Sequence, residues 1–154
     1  MTLLEVIKAI EYVAIRQPSI NLVVRNDVFR INEKPDARYA IFAWTQGQHN
    51  TSTSSDYINY SFTFFYVDRL KSDHSNEMEI QSVGMQTLNN IVRALEDYNV
   101  FSDVQYTFTT FNQRFADECA GVFCNVILAA PIEGTCAEFF ADFNDDFNSD
   151  YFIF

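Results

Sequence analysis

The chain's two histidines, His49 and His74, are the natural place to look for chemistry. Each lies in a polar stretch, "GQHNTSTSS" (47–55) and "KSDHSNE" (71–77). "SDHS" (72–75) lines up a hydroxyl, a carboxylate and an imidazole. Nucleophilic triads are assembled across space from rigid elements, so consecutive loop positions do not make one. A metal site needs ligands at characteristic spacing, and HEXXH, CxxC and HxH are all missing from the sequence. Cys119, Cys124 and Cys136 are odd in number and fit no such pattern, so they read as reduced, partly buried thiols. With 4 glycines the chain has little from which to build a phosphate-cradling loop. Carboxylate pairs such as Asp117-Glu118 and Asp145-Asp146 are expected in a chain of net charge −11 and read as solvated faces. "DFNDDFNSD" (142–150) lacks the central Gly and terminal Glu of an EF-hand loop. The residues therefore predict a protein that is not an enzyme and uses no cofactor or metal.

The elements that would position these groups are easier to read. Thr2 and Glu5 form a T-x-x-E capping box, and Leu3, Val6, Ile7, Ile10, Val13 and Ala14 make one apolar stripe up to Pro18. This predicts a helix over 2–16. "INLVVRNDVFRIN" sets two β-branched runs around Asn26-Asp27 and predicts a hairpin. "RYAIFAWTQ" (38–46) predicts the next strand, and 47–55 a long, mobile loop. Residues 78–97 keep a helical period through Ile80, Val83, Leu88, Ile91, Val92 and Leu95, with Gly84 marking close packing of helix on sheet. "DVQYTFTTF" (103–111) alternates, and "CAGVFCNVILAAP" (119–131) is a nearly continuous apolar run. The order α-β-β-β-β-α-β-β has no repeating strand–helix–strand alternation. It predicts an α+β domain over 1–131: a mainly antiparallel sheet with two helices packed on one face.

"DYINYSFTFFYVDRL" (56–70) points to a surface. Tyr60, Phe62, Phe64 and Tyr66 fall on one face, as a core requires; Phe65 and Val67 make much of the other face apolar as well. Apolar content on an outer face marks interaction sites, and aromatics are favoured anchors. Phe65 and Val67 are therefore expected to pack on another subunit. Asp68 and Arg69 follow at the strand end, either solvated or fixing register between copies.

Residues 132–154 differ from the rest. They hold six carboxylates, no basic residue and seven aromatics, among which Phe139, Phe143, Phe147 and Tyr151 recur every four residues. The segment reads as an amphipathic helix or an extended arm. Its aromatics need a surface, either on their own domain or on an adjacent subunit, and the expectation is an arm gripping a neighbour.

A length of 154 residues suits one domain and lets roughly 70% of the unfolded surface be buried without staples. The charge of −11 disfavours binding to phosphates or anionic membranes, yet does not forbid a surface past which DNA must slide without sticking. No apolar run approaches the ~20 residues of a membrane helix. "MTLLEVIKAIEYV" carries Glu5 and Glu11 and no leading basic cluster, so it does not read as a signal peptide, and synthesis in the cytoplasm is expected.

The segments "FAWTQGQH" (42–49), "YSFTFFYVDRL" (60–70), "IQSVGMQTLNNIVRAL" (80–95) and "RFADECAGVFCNVIL" (114–128), with the order of elements above, resemble tail-terminator and head–tail connector proteins of tailed bacteriophages, including crAss-like and other Bacteroides-type phages. The resemblance spans roughly 2–131. It implies a virion protein, made in the host cytoplasm, that forms a six- or twelvefold homo-oligomeric ring at the neck or upper tail. Its partners would be adjacent portal, connector or tail proteins, with genomic DNA passing through unbound. The alternatives are a cytoplasmic acidic adaptor for a basic partner, or a small-ligand binding domain with an aromatic pocket.

Overall fold

A computed structural model describes residues 1–27, 38–51, 56–97, 101–112 and 118–132, and the backbone of 152–153. The elements run α1 (Leu3–Ile15), β1 (Leu22–Arg25), β2 (Ile41–Gln46), β3 (Tyr57–Arg69), α2 (Glu77–Asp97), β4 (Asp103–Asn112), β5 (Cys119–Pro131) and β6 (Phe152–Ile153). The fold is α+β, with the helices packed on a six-stranded mixed sheet of order β4-β5-β3-β2-β1-β6. No described helix is long and apolar enough to cross a membrane.

α1 starts where its capping box requires. The Thr2 hydroxyl accepts from the Glu5 N–H at 3.3 Å, and the Glu5 carboxylate accepts from the Thr2 N–H at 2.6 Å. The apolar stripe of α1 then buries Val6, Ile10 and Val13. α2 buries Ile80, Leu88, Ile91, Val92 and Leu95, but Val83, expected on the same stripe, is 38% exposed. Gly84 lets α2 approach β3 and β5: a Cβ there would stand 2.6 Å from a Tyr66 ring carbon and 3.2 Å from Val122.

β3 is the backbone of the sheet, pairing antiparallel with β2 on one side and along its whole length with β5 on the other. Period-two alternation sends Tyr60, Phe62, Phe64 and Tyr66 under the helices, where they join the main core. β4 and β3 both run antiparallel to β5, and α2 carries the chain from one to the other. β1 lies parallel to β2 and to β6, so at Val23 and Val24 both of its edges are occupied. This leaves no place there for the antiparallel return strand of the expected hairpin, whose second arm falls in 28–37, outside the described residues. Asn26 does turn the chain, with φ 56° in the left-handed region that asparagine tolerates.

The loop after β2 is anchored over 47–51, against expectation. Gly47 N–H donates to the Ser61 carbonyl at 2.8 Å, and Asn50 and Asn59 exchange backbone hydrogen bonds. Residues 52–55 of that loop lie outside the described residues.

Candidate assembly surface

The position of β4 is the feature of the sheet most suited to making contacts. It is an edge strand of ten residues, "DVQYTFTTFN", paired to β5 from Asp103↔Ala129 to Asn112↔Ala120. Among the described residues no strand pairs with its other side. Its side chains alternate. Val104, Tyr106 and Phe108 are half-buried against the main core, while Gln105, Thr107 and Thr109 are exposed on the opposite face. Edge strands are commonly blunted by lysine, proline, short length or inward charge. β4 has no lysine or proline, is long for an edge, and holds a single charge, Asp103, at its start.

α2 and β4 frame an open groove of about 510 Å³ lined by Gln81, Met85, Asn89, Phe108 and Thr110 among others. Met85 is 40% exposed at its wall. Tyr106 and Phe108 meet edge to face, ring centroids 5.5 Å apart, and stiffen the strand beside it. Two ties fix the far end of β4 to the start of α2: Gln81 Nε2 donates to the Phe111 carbonyl at 3.3 Å, and Asn112 Nδ2 donates to Glu77 Oε1 at 2.8 Å.

The interface residues expected from sequence fall elsewhere. Phe65 and Val67 do face away from the helices, but both are already buried within the single chain. They belong to a second apolar cluster with Leu22, Val24, Ile41, Ala43, Phe111 and Cys119, and the Phe65 ring lies 6.0 Å from that of Phe123. Alternation correctly gave their facing. The inference that an apolar second face must await another subunit fails here, because this chain buries both faces of the central sheet. Asp68 is partly buried, and burial raises its pKa although its carboxylate accepts from the Arg69 N–H at 2.8 Å. The Arg69 guanidinium lies over the Tyr39 ring, 4.9 Å from its centroid. Phe139, Phe143, Phe147 and Tyr151 lie outside the described residues. The backbone of 152–153 does pair with β1 of its own chain.

Three polar arrangements lie apart from this edge. Glu11, 2% exposed, accepts from Arg25 Nε at 2.9 and 3.0 Å, from Arg25 Nη2 at 2.7 Å and from Trp44 Nε1 at 3.1 Å. Burial raises its pKa, and Arg25 and Trp44 only partly offset that. His49 Nδ1 accepts from the Ser61 N–H at 3.1 Å, which places the ring proton on Nε2, 3.0 Å from Gln46 Oε1. His74 meets Glu118 at 3.3 Å. Cys119 and Cys124 are fully buried thiols, that of Cys124 pushed up to about 12 by burial. Among the described residues no three His, Cys, Asp or Glu side chains gather closely enough to hold a metal ion. His49 and His74 remain on separate loops, each engaged with its own partner.

The edge role of β4 is not apparent from sequence because strand order is set by long-range pairing. The signal available in advance is its composition: ten residues, alternating, with one charge. A scan of the chain against profiles of known protein families finds no match, and neither does a comparison with curated proteins.

Proposed function

We propose that this chain is a structural subunit of a homo-oligomeric ring at the neck or upper tail of a tailed bacteriophage, a tail-terminator or head–tail connector protein through which genomic DNA passes. The observation that carries the reading is the ten-residue edge of β4, with one charge, no lysine or proline and no described strand on its outer side, beside the α2 groove. Monomeric proteins guard such edges, and assembling ones use them. The net charge of −11 supports the same reading, since an acidic ring repels the phosphates that must move through it. The sequence resemblance supplies the location in the virion, with portal, connector or tail proteins as neighbours. On this reading the chain performs no reaction, and its surface is selected for contact rather than turnover.

Light scattering of the purified chain across a concentration series tests the proposal. A mass of six or twelve copies, or its growth toward that value with concentration, is expected. A monomer at every concentration overturns the ring and favours the adaptor or ligand-binding alternatives.

A further inference from the structure

We infer that the pocket between α1, β1 and β2 receives an acidic–aromatic stretch of residues 133–151 from the adjoining subunit, with Lys8 as its charge partner. The inference rests on the ring reading and goes on to name a contact between neighbouring subunits.

The pocket is a cavity of about 320 Å³ lined by Leu4, Ile7, Lys8 and Glu11 of α1, Arg25 of β1 and Trp44 of β2. It lies at the small end of the ~300–1,000 Å³ of ligand sites, with room for one aromatic side chain and the residue beside it. Glu11 is held at once by Arg25 and by the Trp44 indole N–H, so the three groups brace one another. Leu4 and Lys8 stand one helical turn apart on α1, which sets an apolar side chain, 60% exposed, beside an ammonium. Glu11 and Arg25 offset each other as an ion pair. Lys8 is left as the uncompensated charge of the pocket, and no acid among the described residues pairs with it.

The pocket therefore suits a ligand with one negative charge next to an apolar ring. In a chain of net charge −11, such a site attracts acids that most of the surface repels. The complementary pattern is in the same sequence. Residues 133–151 set an acid before an aromatic at intervals of four: Glu138-Phe139, Asp142-Phe143, Asp146-Phe147 and Asp150-Tyr151. Neighbouring Cα atoms lie about 3.8 Å apart, so each pair offers a carboxylate and a ring within the span of the pocket. The stretch holds no basic residue to compete for its acids.

Reach and symmetry both allow the adjoining copy. The stretch is tethered where β5 ends at Pro131 and where β6 pairs with β1. Its 19 residues, extended and doubled back, reach up to about 30 Å, about twice the radius of gyration of a chain this long. The pocket and the stretch are different surfaces, so the contact is heterologous: each copy gives one and receives one, in a single direction around an axis. Six or twelve copies close such a contact into a ring, and its two rims stay free to face different neighbours.

The test is cross-linking of the full chain, read beside its light-scattering mass. The chain carries Leu4→Cys and Asn144→Cys, with Cys136→Ser to remove the native thiol of the stretch, and is treated with a short bismaleimide; Cys119 and Cys124 are buried. Head-to-tail docking should give a ladder of covalent species rising to the ring size. Adding Lys8→Glu should cut the ladder at least fivefold without moving the melting curve. An assembled ring that gives no ladder, or a ladder indifferent to Lys8→Glu, overturns the docking and keeps the ring. A covalently closed monomer also overturns it, because the stretch then occupies the pocket of its own chain. Where the mass is that of a monomer at every concentration, the ring fails and a synthetic peptide of residues 137–150 decides the pocket. A shift in the emission of Trp44, the chain's single tryptophan, that Lys8→Glu abolishes supports the acidic–aromatic recognition, and no shift overturns it.

Discussion

A Cβ atom on Gly84 of α2 would lie 2.6 Å from Cδ1 of Tyr66 on β3. Tyr66 is 2% exposed and cannot swing clear, so the missing side chain sets how closely α2 sits on the sheet. Gly84→Ala gains about 1 kcal/mol of helix propensity but forces an overpacked contact that commonly costs about 1–3 kcal/mol. The expected result is a net loss of about 1 kcal/mol in urea denaturation. Stabilisation by the substitution would show that α2 can shift freely on β3.

The ion pair under α1 makes a pH-dependent prediction. Arg25→Met leaves Glu11 buried without its main partner, which should cost about 3 kcal/mol at neutral pH. Because burial already raises the Glu11 pKa, losing the guanidinium raises it further. A carboxyl whose folded pKa lies above its unfolded value of 4.5 contributes stability at low pH and loses it as pH rises through the folded value. The Arg25→Met deficit, measured by thermal melts, should therefore shrink as pH falls toward and below 4.5. A deficit independent of pH would mean that Glu11 is not the group left uncompensated.

His49 gives the opposite slope. Its Nδ1 must be unprotonated to accept from Ser61, and burial lowers its pKa below the ordinary 6.5. The neutral form is favoured on folding, so its contribution is fully present above 6.5 and is lost as pH falls from there through the folded value. His49→Gln should flatten the wild-type melting profile just below pH 6.5, and an unchanged profile would count against the assigned tautomer.

Phe65 tests the second buried cluster. Phe65→Asp should destabilise the isolated chain by at least about 3 kcal/mol, since it puts a carboxylate into an apolar site. Intact folding with impaired association would instead restore Phe65 to an intersubunit contact.

Much of this fold can be read from local sequence, and what cannot is specifically long-range. The Thr2–Glu5 box, the α2 period, the alternation of Tyr60 through Tyr66 and the tight approach at Gly84 are set by neighbours along the chain, and each appears in the structure where expected, save that Val83 leaves the buried stripe of α2. Period two also gave the facing of Phe65 and Val67. It could not say what lies across from them, because that depends on how distant segments pack. The parallel pairing of β1 with β2 and β6 was hidden for the same reason. A short apolar run such as Leu22-Val23-Val24 does not encode its partners, and the Asn26 turn was legible without its destination. The edge location of β4, on which the candidate site depends, likewise follows from sheet order, whereas its lack of lysine and proline stood in plain view.

Assembly into a ring can be seen or refuted by electron microscopy of the purified chain. Closed rings of uniform diameter with an open centre and six or twelve subunits are expected. Fields of single small particles, at concentrations where the protein is abundant and folded, would contradict ring assembly.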